Sequence, residues 1–558
     1  MTSNPSRKSR NAISRRRVLQ WSGVSAAAVA ASSLGIACGD DSSDTSGTNG
    51  TASPAANASA SQPKRGGKVA FAYSNIPQNL DVQRIVSPTL GEAATLVMNR
   101  LIRHDPKAGP TDYNVEADIA ASWEQPDDLS FVFKLRPEVK WQEKEPYNGR
   151  PLVAKDVLLA YEREGAKDPA AIFAYLMTWI DSITAPDDHT IVIKAKEPNA
   201  RALDYLAFYQ SAIVPIECVD KFGSLENPES WVGTGAYHLT SWKPGVGFQL
   251  DRNPSYWEPD RPYIDHVDLN EITDLSAQLT AFLSGSLDVL EAVDAAVVPT
   301  VQQRADGARL VKSSEVGGVQ YAWTVKDSPF KDPRVRKAWD LIIDRQSMLS
   351  SIAGDGNAEF RVSPVSPGFT RWARTQEQIK KDMVFDPAQA KALLEQAGQG
   401  SGFTAGILGN SEEEKAWISW ALQQGKKAGI TIDPQVVERT VYLTAQRQHK
   451  FNLGQIFAMR AYPDPDDYLF PVFVTGESKN YWDMSDPALD DLIKKQRQAL
   501  DPEKRKQILQ EIDSRWTTDF NYSTFGYTRN RTDAVSKRLG SYVPRPYDIT
   551  GVKYAWVE

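Results

Sequence analysis

Cysteine is nearly absent from this chain: 558 residues contain two, Cys38 and Cys218. A scaffold held by disulfides is therefore excluded, and the body must hold together through its core. Cys218, inside the apolar run Ile213–Val219, reads as a small buried hydrophobe rather than a reactive thiol. Histidine is also scarce. His104, His189, His238, His266 and His449 are scattered, and none lies in a His-Glu-x-x-His zinc pattern. No metal or other cofactor is expected. The Gly-x-Ser-x-Gly elbow and the phosphate-cradling Gly-x4-Gly-Lys-Ser/Thr loop are missing too. An enzyme is therefore the less favoured class. Acids are numerous enough to furnish a glycosidase pair, but a sequence does not show two carboxylates facing each other. No internal repeat is present. No segment has the roughly 20 consecutive apolar residues needed to cross a bilayer. Positive charge is in deficit as well: the formal net charge is −7, which argues against nucleic acid as a partner.

The basic residues that do occur include a distinctive cluster. Ser14-Arg15-Arg16-Arg17-Val18-Leu19-Gln20 has the pattern of a twin-arginine export signal, with Arg15 and Arg16 as its pair. An alanine-rich apolar stretch, roughly residues 24–34, leads to Gly35-Ile36-Ala37-Cys38. A basic region, a short apolar region, small residues and a cysteine, in that order, make a signal peptide ending at a lipidation site, here Cys38. Residues 1–37 hold six basic residues and no acids, so processing before Cys38 would move the net charge from −7 to −13. Residues 38–65 are dominated by Ser, Thr, Ala, Asn, Gly and Pro, a composition that cannot offset the entropy of ordering. A flexible tether of that length spans about 30 Å. The expectation is an exported protein, periplasmic or on the outer face of the cell membrane, held by lipid.

From Gly66 onward the pattern is mixed α/β. Lys68–Tyr73 and Thr190–Lys194 read as strands. Leu129–Leu135 alternates apolar and polar positions as a half-buried strand does. Tyr237–Trp242 is a strand entered through a tight turn at Gly233-Thr234-Gly235. Helical spacing is visible over Pro88–Arg103, from Ala154, and over Ser276–Leu283, Val335–Leu349, Ala388–Ala397 and Pro502–Asp513.

Several stretches, taken in order, resemble one family. They are Ala120–Glu124, Phe131–Pro137 and Leu152–Val157; then Gly233–Tyr237 with Arg252-Asn253-Pro254-Ser255-Tyr256-Trp257; then Pro329–Ala338 with Ile343-Asp344-Arg345; and finally Tyr462-Pro463-Asp464-Pro465-Asp466. Together they are similar to the peptide/nickel (oligopeptide-binding, family 5) type of bacterial extracellular solute-binding protein. The resemblance implies an α/β clamshell of two lobes with an extra inserted subdomain. It implies a first-lobe core from residues 66–105, 232–315 and 521–558, an insert at 106–231 and a second lobe at 316–520. It also implies a monomer that closes on a small solute, of the peptide or oligosaccharide class, and serves an ABC importer permease. Nickel or another non-peptide solute is the alternative within the family, and a secreted hydrolase the alternative outside it.

Departures from the family pattern bear on the solute. Peptide binders of this kind often carry Asp three residues before the late Asp-Pro, where it holds the peptide amino group. This chain has Ala461 there. It also has no Arg in Leu408-Gly409-Asn410-Ser411-Glu412, where dipeptide binders clamp a carboxylate. A simple free-amine peptide is thus expected to bind poorly, since a buried ammonium needs a counter-charge. If such a peptide does bind, Asp464, Asp466 and Asp467 are the first carboxylates to consider. The candidate ligand-contacting set is Tyr73, Trp323, Arg439, Arg460, Ala461 and Tyr462. Trp323, Trp372, Trp417, Trp420 and Trp482 are candidate sugar-stacking rings, with core packing the simpler role for them.

Overall fold

The protein is described by a computed structural model covering residues 63–558, apart from 112, 169, 355, 411, 449–453, 460–463, 478 and 547. The export signal with Arg15 and Arg16, Cys38, and Arg460, Ala461 and Tyr462 all lie outside the described residues.

Three principal sheets organise the chain. The largest has eight strands. Its main path runs Arg309–Ser314, Tyr527–Val535, Val289–Leu290, Lys68–Tyr73, His266–Glu271, Gly247–Arg252 and Tyr237–Lys243, and Ala358–Phe360 pairs with the start of Tyr527–Val535. A five-stranded sheet runs Ile430–Val436, Phe403–Gly409, Gly454–Met459, Gly318–Ala322, Ser523–Phe525. An antiparallel four-stranded sheet is drawn from Ala120–Glu124, Ser130–Leu135, Thr190–Ala195 and Ile180–Asp187. Buried apolar residues follow the same division. Two clusters use residues between Val69 and Val301 together with the C-terminal stretch from Ala534. Two others use residues between Val319 and Tyr527. The result is two lobes, with the four-stranded sheet sharing the core of the first.

Local chemistry explains most element ends. Ser130–Leu135 buries Phe131, Phe133 and Leu135 on one face, as its alternation predicts. Asp386 and Asp501 cap helices Pro387–Gln396 and Pro502–Arg515, each with proline at the first turn. Three sequence expectations need correction. Helical spacing over Pro88–Arg103 becomes helix Pro88–Val97 followed by strand Ile102–His104, because the chain turns extended at Met98. The stretch Val335–Leu349 is broken into Pro333–Leu341 and Arg345–Met348, where Asp344 caps a new start by accepting from Ser347 N at 3.0 Å. Gly233 and Gly235 do not supply a positive-φ turn. They let the chain press against the end of the first helix: a Cβ on Gly233 would stand 1.8 Å from the Val97 carbonyl oxygen, to which Gly235 N donates at 2.9 Å.

The chain passes from the large sheet to the five-stranded sheet at residues 315–317 and returns at Gly526. Strand Ser523–Phe525 still pairs in the five-stranded sheet, so the return falls later than the boundary expected at 521. The two passages are fastened together. Glu315 N donates to Arg529 O at 2.9 Å, and Thr528 Oγ1 donates to Gly317 O at 2.7 Å. Arg361 lies across them, 1% exposed. It donates from Nη1 to Gly317 O at 2.9 Å, from Nε to Ser363 O at 2.8 Å and from Nη2 to Pro364 O at 2.8 Å. Its partners are carbonyls, so burial pushes the guanidinium down to about 10. Gly318 has φ +150, and a Cβ there would meet Arg361 Nη1 at 2.9 Å.

Replacing Arg361 by Met should leave the Ser363 and Pro364 carbonyls without donors and take from Gly317 O one of its two. We expect a loss of about 3 kcal/mol in urea unfolding at unchanged secondary-structure content. A loss under about 1 kcal/mol would show that the passages hold without it.

Candidate functional site

Nearly all buried polar groups in a folded protein are paired, so the exceptions locate a site. They are spread through the described residues, and a few lie on the strands near the twin passage. On the large sheet Tyr73 ends its strand, buried, with its hydroxyl set against Glu92. Glu92, on the helix above, is 2% exposed with Oε2 unpartnered, and Tyr542 Oη is likewise unpartnered. On the five-stranded sheet Gln320 lies two residues past the crossing glycine, with both ends of its amide buried and unpartnered. Tyr468, beside it, is buried with its hydroxyl set against the Gln320 side chain.

A second polar cluster joins the lobes at their rim. Asp464, Asp466 and Asp467 of the late motif are all engaged. Asp464 accepts from Arg505 Nη1 and Nη2 at 2.7 Å each. Asp466 accepts from Gln496 Nε2 at 2.5 Å and lies 3.3 Å from Arg497 Nε. Asp467 pairs with Arg201, whose Nε is also 3.4 Å from Asp464 Oδ1. Burial alone would raise the Asp464 carboxyl, but Arg505 and Arg201 hold it at about 2. Arg201 belongs to the other lobe: it precedes helix Ala202–Ala207, which packs near strand Ile102–His104. The same rim carries Ala200 N to Arg497 O at 2.8 Å and Gln498 Nε2 to Glu197 Oε2 at 3.0 Å.

The residues expected from sequence are scattered. Tyr73 ends strand Lys68–Tyr73 beside Glu92. Trp323 is buried in the second lobe, its ring stacked on Phe330 with centroids 3.8 Å apart and set against Trp339. Trp372, Trp417, Trp420 and Trp482 are likewise buried, so these rings pack the lobe and offer no open stacking face. Arg439 is the exposed first residue of helix Arg439–Arg447. Cys218 is a free buried thiol, pushed up to about 12 by burial. Among the described residues no group of three or more His, Cys, Asp or Glu is placed to hold a metal ion, and no helix is long and apolar enough to cross a membrane. Glu92, Gln320, Arg201 and Tyr542 were not singled out from sequence. Glu92 carried a readable signal, being a carboxylate on the apolar stripe of a helix.

Comparison with known proteins agrees with this architecture. The family model described as bacterial extracellular solute-binding proteins, family 5 middle, matches residues 114–480. The chain belongs to that family. A relative, the dipeptide-binding protein DppE of Bacillus subtilis, is 25% identical over 477 residues, covering 80% of this chain and 84% of the relative. The oligopeptide-binding protein AppA of the same organism is 24% identical over 526 residues, covering 89% and 93%. Among solved structures, the periplasmic binding protein DppA of Helicobacter pylori, in complex with the peptide STSA, superposes with a TM-score of 0.71 at 22% identity, covering 89% of this chain and 99% of that one.

In a two-lobed family 5 protein, a contact across the rim biases the balance of open and closed forms. Arg201→Ala strips Asp467 of its cation. The variant should show a larger radius of gyration in small-angle scattering, and its affinity for solute should fall about tenfold as the closed population shrinks. Arg201→Lys should fall between. Unchanged scattering and affinity in Arg201→Ala would assign the rim pair no part in closure.

Proposed function

We propose that this family 5 protein captures a peptide or peptide-like solute between its lobes, without chemical change, and hands it to an ABC importer permease. The observation that carries the reading is the family match across most of a two-lobed body, with relatives named for dipeptide and oligopeptide binding. The twin passage supports it mechanically, because two short strands joining two separately packed lobes form a hinge. Solute that touches both lobes only when they close stabilises the closed form. The lobe assignment that fits this motion places 66–314 and the C-terminal stretch from about 527 in one lobe, with 106–231 as its insert, and 318–525 in the other. Tyr73 in the first lobe and Gln320 in the second are candidate solute contacts. Arg439, Arg460, Ala461 and Tyr462 remain candidate solute contacts.

Export and anchoring complete the proposal. Arg15 and Arg16 direct export, Cys38 carries lipid, and residues 38–65 tether the body outside the membrane.

Two experiments test these readings. Purified protein should retain a small molecule in native mass spectrometry. Adding that molecule back to stripped protein should raise the melting temperature with concentration and reduce the radius of gyration. Steady consumption of the molecule would place the chain among enzymes. Separately, Cys38→Ser should release the protein from membranes or leave an unprocessed precursor. A variant that fractionates and weighs as wild type does would rule out the lipid anchor.

A further inference from the structure

One face of the eight-stranded sheet shares its core with helix Pro88–Val97. Along that face the strands Lys68–Tyr73, Val289–Leu290 and Tyr527–Val535 lie side by side. Phe71 pairs with Val289, and Val289 with Val535. All three are apolar and fully buried. Alternation brings Tyr73, Glu291 and Asp533 to the same face one pleat nearer the passage, and Arg531 one pleat beyond. The opposite face stays apolar, with Ala70, Ala72, Leu290 and Ala534 in a separate cluster. A change from apolar to ionisable residues on three neighbouring strands, at one level and under cover, is not a core pattern.

The charges do not balance. Arg531 Nε donates to both oxygens of Asp533, at 2.8 and 2.9 Å, and Nη2 lies 3.0 Å from Glu291 Oε2. One guanidinium therefore serves two carboxylates. Glu92 closes the cluster from the helix above and has no ion-pair partner. Its Oε2 and the Tyr542 hydroxyl are buried and unpartnered, and the Tyr73 hydroxyl is set against Glu92. Burial raises the Glu92 carboxyl well above the usual range and Glu291 raises it further, while the adjacent Tyr73 hydroxyl and Arg531 pull the other way. Asp548, the next acid nearby, has its own cation in Arg100 at 3.7 Å. A carboxylate held this way gains most from a cation brought by a ligand. Two tyrosine rings at its side favour an organic ammonium over a bare metal ion.

We propose that Glu92 and Glu291, flanked by Tyr73 and Tyr542, form a subsite for a cationic amine of the solute, in the first lobe beside the twin passage. The proposal rests on the solute-binding reading and sharpens it. Ala461 leaves out the usual anchor, and Asp464, Asp466 and Asp467 are already paired with Arg505, Gln496, Arg497 and Arg201. Trialanine, a side-chain amine or a free diamine all present the same ammonium, and the experiment separates them.

The test is calorimetry of wild type, Glu92→Gln and Glu291→Gln against matched probes. These are trialanine and N-acetyl-trialanine, the blocked peptide N-acetyl-Ala-Lys-Ala-amide and its Nε-acetylated form, and butane-1,4-diamine. At least one amine should bind wild type, lose affinity on acetylation, and bind each Gln variant about ten- to a hundredfold more weakly. The probe that does so names the source of the amine. Glu92→Gln should melt no lower than wild type, since it removes a carboxyl with no ion-pair partner and keeps the shape, whereas Glu291→Gln gives up the pair with Arg531 and should melt somewhat lower. The amine subsite fails if no amine in the panel binds at millimolar concentration, or if the Gln variants match wild type. It also fails if saturable binding of calcium chloride displaces the amine and is lost in Glu92→Gln, which would make the site metallic. Retained solute in native mass spectra of both Gln variants, at the wild-type level, would sink the subsite while leaving solute capture intact.

Discussion

The structure depends on how two passages of chain between the lobes are kept in register. Each is only a few residues long, and each runs through glycine where side chains would collide: Gly318 against Arg361, and Gly526 against Met348 Sδ, which a Cβ would meet at 2.5 Å. Arg361 satisfies carbonyls from one passage and from the adjoining 363–364 segment, so a buried cation without a counter-charge adds to the bonds that fasten the two passages. Hydrogen bonds of this sort fix position while leaving the lobes' own cores separate, an arrangement in which rigid bodies can rotate about a fixed seam.

Two polar clusters sit at different distances from that seam, and their electrostatics differ. At the rim, the aspartates of the late motif are matched by arginines from both lobes, so the cluster is nearly neutral and its hydrogen bonds are mostly made. Beside the seam, acids outnumber bases and several polar atoms have no partner. Matched charge at an interface gives orientation and specificity. Unmatched charge under cover costs stability unless something else neutralises it. The first arrangement joins the two lobes through paired charges, and the second leaves its acids under-compensated.

Much of the fold was legible. The strand Ser130–Leu135 and helices such as Pro387–Gln396 announce themselves through period and capping. Family motifs in order were enough to indicate the two-lobed architecture. Errors fell where a tertiary contact overrode a local pattern. The spacing Leu90, Ala94, Val97, Leu101 suits a helix throughout, yet the glycine segment 233–235 packs onto the helix end at Val97 and the chain leaves as a strand. Trp323 stood out as an aromatic in a lobe expected to bind solute, and it is stacked inside the core. Glu92 was passed over because its neighbours on the helix are apolar.

Local information therefore determined the elements, their approximate ends, the scarcity of cross-links and the family, because hydrophobic period and turn chemistry act over a few residues. Which charges meet was decided by tertiary structure. Tyr73, Glu92, Glu291, Asp533 and Tyr542 are remote in the chain and come together only through strand order, pleat register and the helix laid over them. The same holds for the late aspartates, whose sequence offers them as free carboxylates and whose arginine partners lie far away in the chain. Burial turns such placement into chemistry, since a carboxylate's behaviour depends on the water it has lost and the cations it has gained.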